Sequence, residues 1–382
     1  MTESAIDPRF ARRERQPGLD LLRALAIIVV VIYHAGSFGF ALPDRIHRFG
    51  WIGVDLFFVL SGYLIGGQLL APLARGGRIN FGRFFLRRAL RILPAYLVVL
   101  AIYFCLPSLR EFPEISPLWK FLVSVQNINL RQGTAFSHAW SLAIEDQFYL
   151  ALPLVLLLSS RGKRSGVIVP SLVVLAGIAL RAFLAWSNSG DGGVSASGFL
   201  LWIYYPTWTR LDPLVFGVVL AAMERFRPRG WERLLSTARW LWLPGLAAIV
   251  YGFHLGEGET LTIAACVWQF PLFALGMAAL LVCAVSPRLP FRHLEIPGAA
   301  FFASIAFSVY LSHKLVIHAV IGFCSARNLD LTSIWAILLV EICIYAAGTV
   351  LFLAIERPFL RLRDRLSKRT IPEDRTLTLA GD

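Results

Sequence analysis

The sequence predicts an all-α, polytopic membrane protein with about ten transmembrane helices. Of its 382 residues, 57% are hydrophobic and only 16% are charged, whereas about 25% are charged in an average soluble domain. The mean hydropathy is +0.65. The apolar residues fall in runs of about 20, the length with which a helix crosses the hydrocarbon core of a bilayer.

Ten apolar runs are predicted as spans. They lie at residues 19–40, 49–70, 92–107, 138–159, 167–187, 202–223, 240–256, 260–286, 298–323 and 331–356. The first run follows a basic flank, as in a signal peptide, but it is too long, carries charge and lacks a small-residue cleavage site. We therefore expect it to remain as the first span. The predicted organisation is an N-terminal segment at 1–18, a membrane domain at 19–359 and a basic tail at 360–382.

The basic residues predict the orientation. The chain has 37 Lys and Arg against 24 Asp and Glu, a formal net charge of +13. Most of these basic residues fall in one set of alternate loops and in the two terminal segments, and the positive-inside rule assigns that set to the cytoplasm. Both termini are therefore expected to be cytoplasmic. Because the charge has this topological explanation, no nucleic-acid partner is expected.

Cysteine usage predicts neither a disulfide framework nor a metal site. The five cysteines all lie in apolar runs, and none forms a C-x-x-C pair. Metal sites of the zinc type need cysteine or histidine ligands at short, regular spacing. We therefore expect no bound metal.

Polar residues within the spans are candidate functional residues, because a charge at the bilayer centre costs roughly 3 kcal/mol. Arg23 and His34 lie on the first span. Their spacing puts them about 20° from the same helix face and about 16 Å apart along the axis. Arg23 is predicted near the cytoplasmic end, beside Asp20, and His34 in the outer half. The alternative is a snorkelling arginine and a histidine that is bonded into the bundle.

Further polar residues are predicted in the middle and outer parts of other spans. They are Asp55, Ser141, Glu145, Arg181, Arg210, Asp212, Tyr310, His313 and Lys314. Ser141 and Glu145 share a helix face at i, i+4. Structural alternatives remain for Asp55, as a helix cap, and for Arg210 with Asp212, as an ion pair. Gly62 and Gly66 form a G-x-x-x-G pattern that predicts close helix packing.

Arg88 and Arg91 form a basic cluster on the predicted inner side. They are three residues apart and therefore lie on one helix face. Two interpretations are open: anchoring by lipid headgroups, or a phosphate clamp, because the guanidinium fork matches phosphate oxygens. Glu356, at the end of the last span, is expected to pair with one of these arginines.

Seven stretches of the chain resemble the acyltransferase 3 family of bacterial membrane O-acyltransferases, in the family's order. They are LDLLRALAIIVVVIYH, GVDLFFVLSGYLI, RFFLRRALRILPAY, HAWSLAIEDQFYL, TRLDPLVFGVVLA, YLSHKLVIH and IERPF. The family's Arg-x10-His motif falls on Arg23 and His34, and its Arg-x-x-Arg motif falls on Arg88 and Arg91. The resemblance covers the chain from about Leu19 to Phe359.

The resemblance implies an O-acetyltransferase of the bacterial inner membrane. The donor would be acyl-CoA, usually acetyl-CoA, as a co-substrate, with no permanently bound cofactor. The acceptor would be a hydroxyl of a surface glycan or a lipid-linked sugar. Membrane lipid, acyl-CoA and this acceptor are the expected partners, and the oligomeric state stays open.

The combined expectation assigns a role to each candidate residue. Arg23, Arg88 and Arg91 are expected to bind the phosphates of acyl-CoA. His34 is the expected general base, since an unperturbed imidazole has a pKa of about 6.5, and a transient acyl-histidine is the alternative route. Glu145 or Asp55 would orient its ring. The residues expected at the acceptor or behind the catalytic groups are Ser141, Arg210, Asp212, Tyr310 and His313.

Two other classes of function compete with the enzyme. Intramembrane His, Glu and Arg also build the proton relays of transporters, so a transporter or flippase of a small solute or glycan is the alternative. Against it, the sequence lacks an inverted repeat and paired broken helices. A receptor or scaffold with a polar core would not need the arginine cluster.

Overall fold

The computed structural model describes residues 16–42, 47–159, 165–190, 192–258 and 260–369. Residues 1–15 of the predicted N-terminal segment and 370–382 of the predicted tail lie outside this description. Most of the described chain is helical. Its strands, β1 (Val194–Ser195) and β2 (Thr260–Leu261), form a short antiparallel ribbon in which Val194 lies opposite Leu261.

The helices are numbered in chain order. They are α1 (Pro17–Ser37), α2 (Gly53–Ala74), α3 (Phe81–Cys105), α4 (Leu118–Leu122), α5 (Trp140–Ser159), α6 (Ser165–Ser187), α7 (Ala196–Phe199), α8 (Asp212–Phe226), α9 (Pro228–Leu255), α10 (Ile263–Val285), α11 (Ala299–Ala326), α12 (Ile334–Leu351) and α13 (Arg357–Arg369). A π-helical turn, Phe352–Glu356, joins α12 to α13.

In the described ranges, nine helices are long and apolar enough to cross a membrane. The predicted class, an all-α polytopic membrane protein, is therefore confirmed. Nine of the ten predicted spans correspond to these helices, because long apolar runs can satisfy their backbone groups within lipid only as helices.

The predicted sixth span, 202–223, does not form one continuous helix. Its first part is a π-helical turn, Leu200–Tyr204, followed by a 3-10 turn, Thr207–Thr209, and α8 has only 15 residues. Two prolines explain the break. Pro206 has no backbone N–H to donate, and Pro213 lies in the first turn of α8, where a missing N–H is tolerated.

The third span begins 11 residues earlier than predicted, at Phe81 rather than 92. Asn80 caps it, because its side chain accepts a hydrogen bond from the backbone N–H of Arg83 at 2.9 Å, and such a bond satisfies one of the free donors at a helix start. The consequence for the site is that Arg88 and Arg91 lie inside α3, on one face of a regular helix.

Helices from the two halves of the chain pack against each other. α2 packs along α8, and α1 lies between α2 and α11. The α2–α8 contact depends on glycine: a Cβ on Gly62 would collide with the carbonyl of Leu214, and one on Gly217 with the carbonyl of Val59. The G-x-x-x-G prediction is thus confirmed as a packing motif. α13 packs on α3, which brings the basic end of the chain to Arg88 and Arg91.

Candidate functional site

Three histidine rings meet where α1, α11 and the turn before α5 come together. The ring centroids of His34 and His313 are 4.8 Å apart, and those of His138 and His313 are 4.7 Å apart. His138 and His313 are buried, whereas His34 is partly exposed. The packing of α1 against α11 creates this cluster, because it joins side chains that are far apart in sequence.

The hydrogen bonds of the cluster define which nitrogen of His34 is free. His313 Nδ1 lies 2.8 Å from the carbonyl oxygen of Tyr310, so Nδ1 carries the hydrogen and Nε2 is an acceptor. That Nε2 lies 3.1 Å from His34 Nδ1, which is also 3.0 Å from the carbonyl oxygen of Val30. Both neighbours accept, so His34 Nδ1 donates to them. In the neutral ring, His34 Nε2 therefore keeps its lone pair.

Tyr310 connects the histidine cluster to the residues predicted on α5. Its hydroxyl donates to the carbonyl oxygen of His138 at 2.7 Å and lies 2.7 Å from Ser141 Oγ. Because the Tyr310 proton goes to a carbonyl, the Ser141 hydroxyl is the donor of the second bond. Two of the predicted residues thus form one buried pair beside the histidines.

A cavity of about 220 Å³ reaches this pair and is lined by residues of α1, α2, α3, α5, α11 and α13. Its polar lining consists of Arg23, Ser61, Gln68, Arg87, Arg88, Arg91, Ser141, Glu145, Asp146, Tyr310 and Arg363. All three arginines predicted to bind the donor therefore lie in one cavity. His34 does not line it: the cavity ends at Ser141 and Tyr310, and the histidines lie behind them.

Acidic residues accompany the cavity arginines. Arg23 Nη1 lies 3.6 Å from Asp20 Oδ1, as predicted. The guanidinium of Arg88 lies 4.1 Å above the ring of Tyr149 and acts electrostatically on Glu145 and Asp146. Glu145 itself accepts a hydrogen bond from Tyr149 at 2.6 Å, and Tyr149 also contacts the Ser61 hydroxyl.

Glu356 lies on the same side of the bundle. Its carboxylate accepts a hydrogen bond from Ser308 at 2.7 Å, and Arg91 supplies the strongest opposite charge that acts on it. The predicted partnership of Glu356 with an arginine is thus electrostatic, and its direct hydrogen bond comes from a serine.

The chain matches a known protein family over most of its length. The family model described as an acyltransferase domain, Acyl_transf_3, matches residues 16–356. The chain belongs to the acyltransferase 3 family. The predicted family membership is confirmed. No solved structure matches the chain.

Curated relatives are longer than this acyltransferase 3 chain. It is similar to O-acetyltransferase OatA of Staphylococcus aureus strain NCTC 8325, with 32% identity over 239 residues, which cover 57% of this chain and 36% of OatA. A putative O-acetyltransferase of S. aureus strain MSSA476 is 32% identical over 231 residues, which cover 56% of this chain and 35% of the relative. The matched part is thus about a third of each relative.

The buried charges on the other side of this acyltransferase 3 domain are paired differently from the prediction. Arg210 does not pair with Asp212. Its Nη2 lies 3.0 Å from Asp55 Oδ1, and both side chains are fully buried, while Arg181 binds both carboxylate oxygens of Asp212, at 2.6 and 3.1 Å. The packing of α2 along α8 explains the exchange, because it brings Asp55 to Arg210.

The predicted orientation of His34 by Glu145 or Asp55 is also wrong. Glu145 is held by Tyr149, and Asp55 faces Arg210, whose guanidinium lies 3.5 Å from the centroid of the Phe270 ring. Within the described part of the chain, neither carboxylate has a hydrogen bond to His34. His313 and the Val30 carbonyl hold the ring instead.

Four residues of this domain's polar site carry no predicted role. His138 joins the histidine cluster, Lys314 donates to Ser137 Oγ at 3.1 Å beside it, and Arg87 and Arg363 line the cavity. A signal existed for three of them: His138 precedes Ser141 by three residues on the same face, Lys314 follows His313, and Arg87 precedes Arg91 by one turn. The sequence gives no signal for Arg363, because this residue reaches the cavity only through the packing of α13 on α3.

Among the described residues, no group of His, Cys, Asp or Glu is arranged to hold a metal ion.

Proposed function

We propose that the chain is a membrane O-acetyltransferase that takes an acetyl group from acetyl-CoA and transfers it to a hydroxyl of a glycan or lipid-linked sugar. The observation that carries the proposal is the cavity: it is lined by five arginines and ends at Ser141 and Tyr310, and Tyr310 is bonded to the loop that holds His138. Arginines that can bind an anionic carrier thus lie on one side of Tyr310, and histidines that offer a basic nitrogen lie on the other.

The donor side of the proposal uses the arginines. Guanidinium groups bind phosphate oxygens through paired, charge-assisted hydrogen bonds. Arg88 and Arg91 lie on one face of α3, and Arg23 faces the same cavity from α1. In this arrangement the phosphates bind among the arginines, and the thioester end points toward Ser141 and Tyr310. Glu145 also belongs to the donor side, because it accepts a hydrogen bond from Tyr149, the residue whose ring lies under the Arg88 guanidinium.

The acyl transfer uses His34 Nε2, the nitrogen left without a hydrogen. It takes the proton of the acceptor hydroxyl while the hydroxyl oxygen bonds to the thioester carbonyl carbon. Collapse of the tetrahedral intermediate breaks the C–S bond, and the imidazolium returns its proton to the departing thiolate. Because Tyr310 and Ser141 separate the cavity from His34, the thioester reaches the ring only after the Tyr310 side chain has turned aside.

An acyl-histidine route would use the same lone pair. In that case His34 Nε2 attacks the thioester carbonyl carbon, the C–S bond breaks and CoA leaves as the thiolate. In a second step the acceptor hydroxyl attacks the acetyl carbon, the bond from that carbon to Nε2 breaks, and the hydroxyl proton neutralises the thiolate. Incubation with acetyl-CoA in the absence of acceptor, followed by acid quenching and mass spectrometry, separates the two routes: acetyl bound to the peptide that contains His34 supports the covalent route.

The cellular setting follows from the donor. Acetyl-CoA is a cytoplasmic metabolite, and the arginine end of the cavity lies among the basic segments that the positive-inside rule assigns to the cytoplasm. We therefore place the protein in the bacterial inner membrane, with membrane lipid, acyl-CoA and the sugar acceptor as its partners. Acetyl-CoA enters as a co-substrate.

The test is an activity assay on purified protein in detergent. With acetyl-CoA and a soluble sugar acceptor, or water as its substitute, we expect release of free CoA thiol and, with a suitable sugar, labelled acetyl ester. Cells lacking the gene should lose alkali-labile acetate from a surface glycan. A protein that releases no thiol and instead moves a solute across proteoliposomes would overturn the proposal in favour of a carrier.

A further inference from the structure

The five cavity arginines divide into two groups by the acids around them. Two acids, Glu145 and Asp146, line the cavity, and both lie in the field of Arg88. Arg91 has Glu356 as its opposite charge, and Arg23 has Asp20. We call these three arginines the inner group. Their positive charges are partly neutralised by acidic residues of the protein itself.

Arg87 and Arg363 form the outer group. Arg87 lies on α3 one turn before Arg91, and Arg363 approaches from α13, which packs on α3. Both line the cavity, and their two positive charges act on each other. Their nearest acid is Asp364, which pairs with Arg363 at 2.8 Å and whose side chain is 55% exposed. Glu356 also acts on Arg363, but Arg91 is its stronger partner. A screened, exposed carboxylate offsets little of this charge.

The outer group is at the end of the cavity that is farther from the histidines. Later on α3, Tyr96 and Tyr103 stack on Phe136, and Phe136 contacts the ring of His138. α3 therefore runs from Arg87 toward the histidine cluster. A ligand whose reactive end lies at Tyr310 would reach Arg87 and Arg363 only with its opposite end.

We propose that Arg87 and Arg363 form a second anion subsite, which binds the 3′-phosphate on the ribose of CoA, while the inner group binds the diphosphate. The inference rests on the proposed function, since it assumes that the donor is a CoA thioester. In CoA the diphosphate follows the pantetheine arm directly and the 3′-phosphate lies beyond it, on the nucleoside. On α3, Arg91 of the inner group is likewise one turn nearer the histidine cluster than Arg87 of the outer group.

The subsite also defines the class of donor. Two guanidinium groups held close together repel each other unless a dianion lies between them. A free nucleotide thioester with a terminal phosphomonoester supplies that dianion. A thioester on the phosphopantetheine arm of a carrier protein, or acetyl phosphate, has no second phosphate and leaves the outer group unoccupied. The helix α13 thereby becomes part of donor selection.

The experiment compares two unreactive ligands, CoA and 3′-dephospho-CoA, by calorimetric titration of the purified full-length protein. The unaltered protein should bind CoA at least about tenfold more tightly, the factor that corresponds to one additional charge-assisted contact. In Arg363→Gln and in Arg87→Gln the ratio should fall to near one, with the affinity for 3′-dephospho-CoA within about twofold of the unaltered protein.

Arg361→Gln is the matched control. Arg361 lies on the same helix, is exposed and does not line the cavity, so its loss should leave the ratio unchanged. The subsite is overturned if the unaltered protein does not distinguish the two ligands, if Arg363→Gln weakens both equally, or if Arg361→Gln has the same effect as Arg363→Gln. The first comparison needs no variant and therefore does not depend on the folding of one.

The outcome also separates this inference from the proposed function. A protein that releases thiol from acetyl-CoA but binds both ligands equally keeps the enzymatic function and loses the subsite. A protein that binds neither ligand and releases no thiol loses both.

Discussion

His34 Nδ1 lies 3.1 Å from His313 Nε2, and this contact decides which nitrogen of His34 is available for chemistry. His313 can accept there only because its own Nδ1 donates to the carbonyl of Tyr310 at 2.8 Å. The chain of donors and acceptors runs from a helix backbone through one ring into the next. It leaves the lone pair of His34 on Nε2, as a general base requires.

In the proposed mechanism His313 is a positioning residue, and its replacement should lower kcat more than it raises the KM for acetyl-CoA. A hydrogen bond to an ionised group contributes about 1.5–3 kcal/mol, which corresponds to about tenfold to a hundredfold in kcat for His313→Phe. His313→Gln keeps an acceptor for His34 Nδ1 and should restore part of the rate. The measurement is steady-state thiol release across pH. A larger effect of Gln than of Phe, or equal effects of both, would leave His313 with a packing role only.

Replacement of His34 should affect catalysis far more than folding. Loss of a general base typically costs about 10²–10⁴-fold in rate, and His34→Ala should show a loss of this order in thiol release from acetyl-CoA. His34 is partly exposed on α1, so the amount of protein in the membrane and its thermal midpoint in detergent should stay close to those of the unaltered chain. Near-normal turnover in this variant would remove His34 from the mechanism.

Arg91→Ala and Arg88→Ala should raise the KM for acetyl-CoA, because both line the cavity that we propose binds the donor. The two variants should nevertheless differ. Arg88 lies over Tyr149 and beside Glu145 and Asp146, so its loss should also lower kcat or stability, whereas Arg91→Ala should act mainly on KM. The measurement is the KM for donor and acceptor at two salt concentrations, since phosphate binding by arginine weakens with salt. A change confined to the acceptor KM would contradict a phosphate clamp.

Much of the fold could be predicted because it depends on local composition. Long apolar runs define nine helices, of which seven have bounds within a few residues of those predicted and two, α3 and α9, begin more than ten residues earlier. The two glycines of G-x-x-x-G identify the surface of α2 that α8 approaches. The prediction of the sixth span as one continuous helix was wrong, because two prolines interrupt an otherwise apolar run. The spacing of Arg88 and Arg91 was enough to place them on one face of α3.

The pairing of the buried charges could not be predicted in the same way. Asp55, Arg181, Arg210 and Asp212 lie at similar predicted depths, and several pairings satisfy every charge. Which of them forms depends on the rotation of α2, α6 and α8 about their axes, a property of tertiary packing. The same limit applies to His313, which is 279 residues from His34 in sequence, and to Arg363, which depends on how α13 docks.

The Arg210–Asp55 pair gives the last prediction, on stability. Both side chains are fully buried, and removal of one partner from such a pair costs about 3–5 kcal/mol, because the other charge is left without compensation. Asp55→Ala and Arg210→Met should therefore each lower the thermal midpoint in detergent strongly. The double variant, Asp55→Ala with Arg210→Met, removes both charges and should recover a large part of that loss. Arg361→Gln, an exposed substitution, is the control and should have little effect.

The same variants distinguish a structural role of Asp55 from a catalytic one. If Asp55 serves only to neutralise Arg210, the double variant should be more active per folded molecule than Asp55→Ala alone, because the site regains its geometry along with its stability. If Asp55 takes part in the acyl transfer, the double variant should stay as inactive as Asp55→Ala although it is more stable. Thiol release normalised to the folded fraction, measured on all three variants, decides between these outcomes.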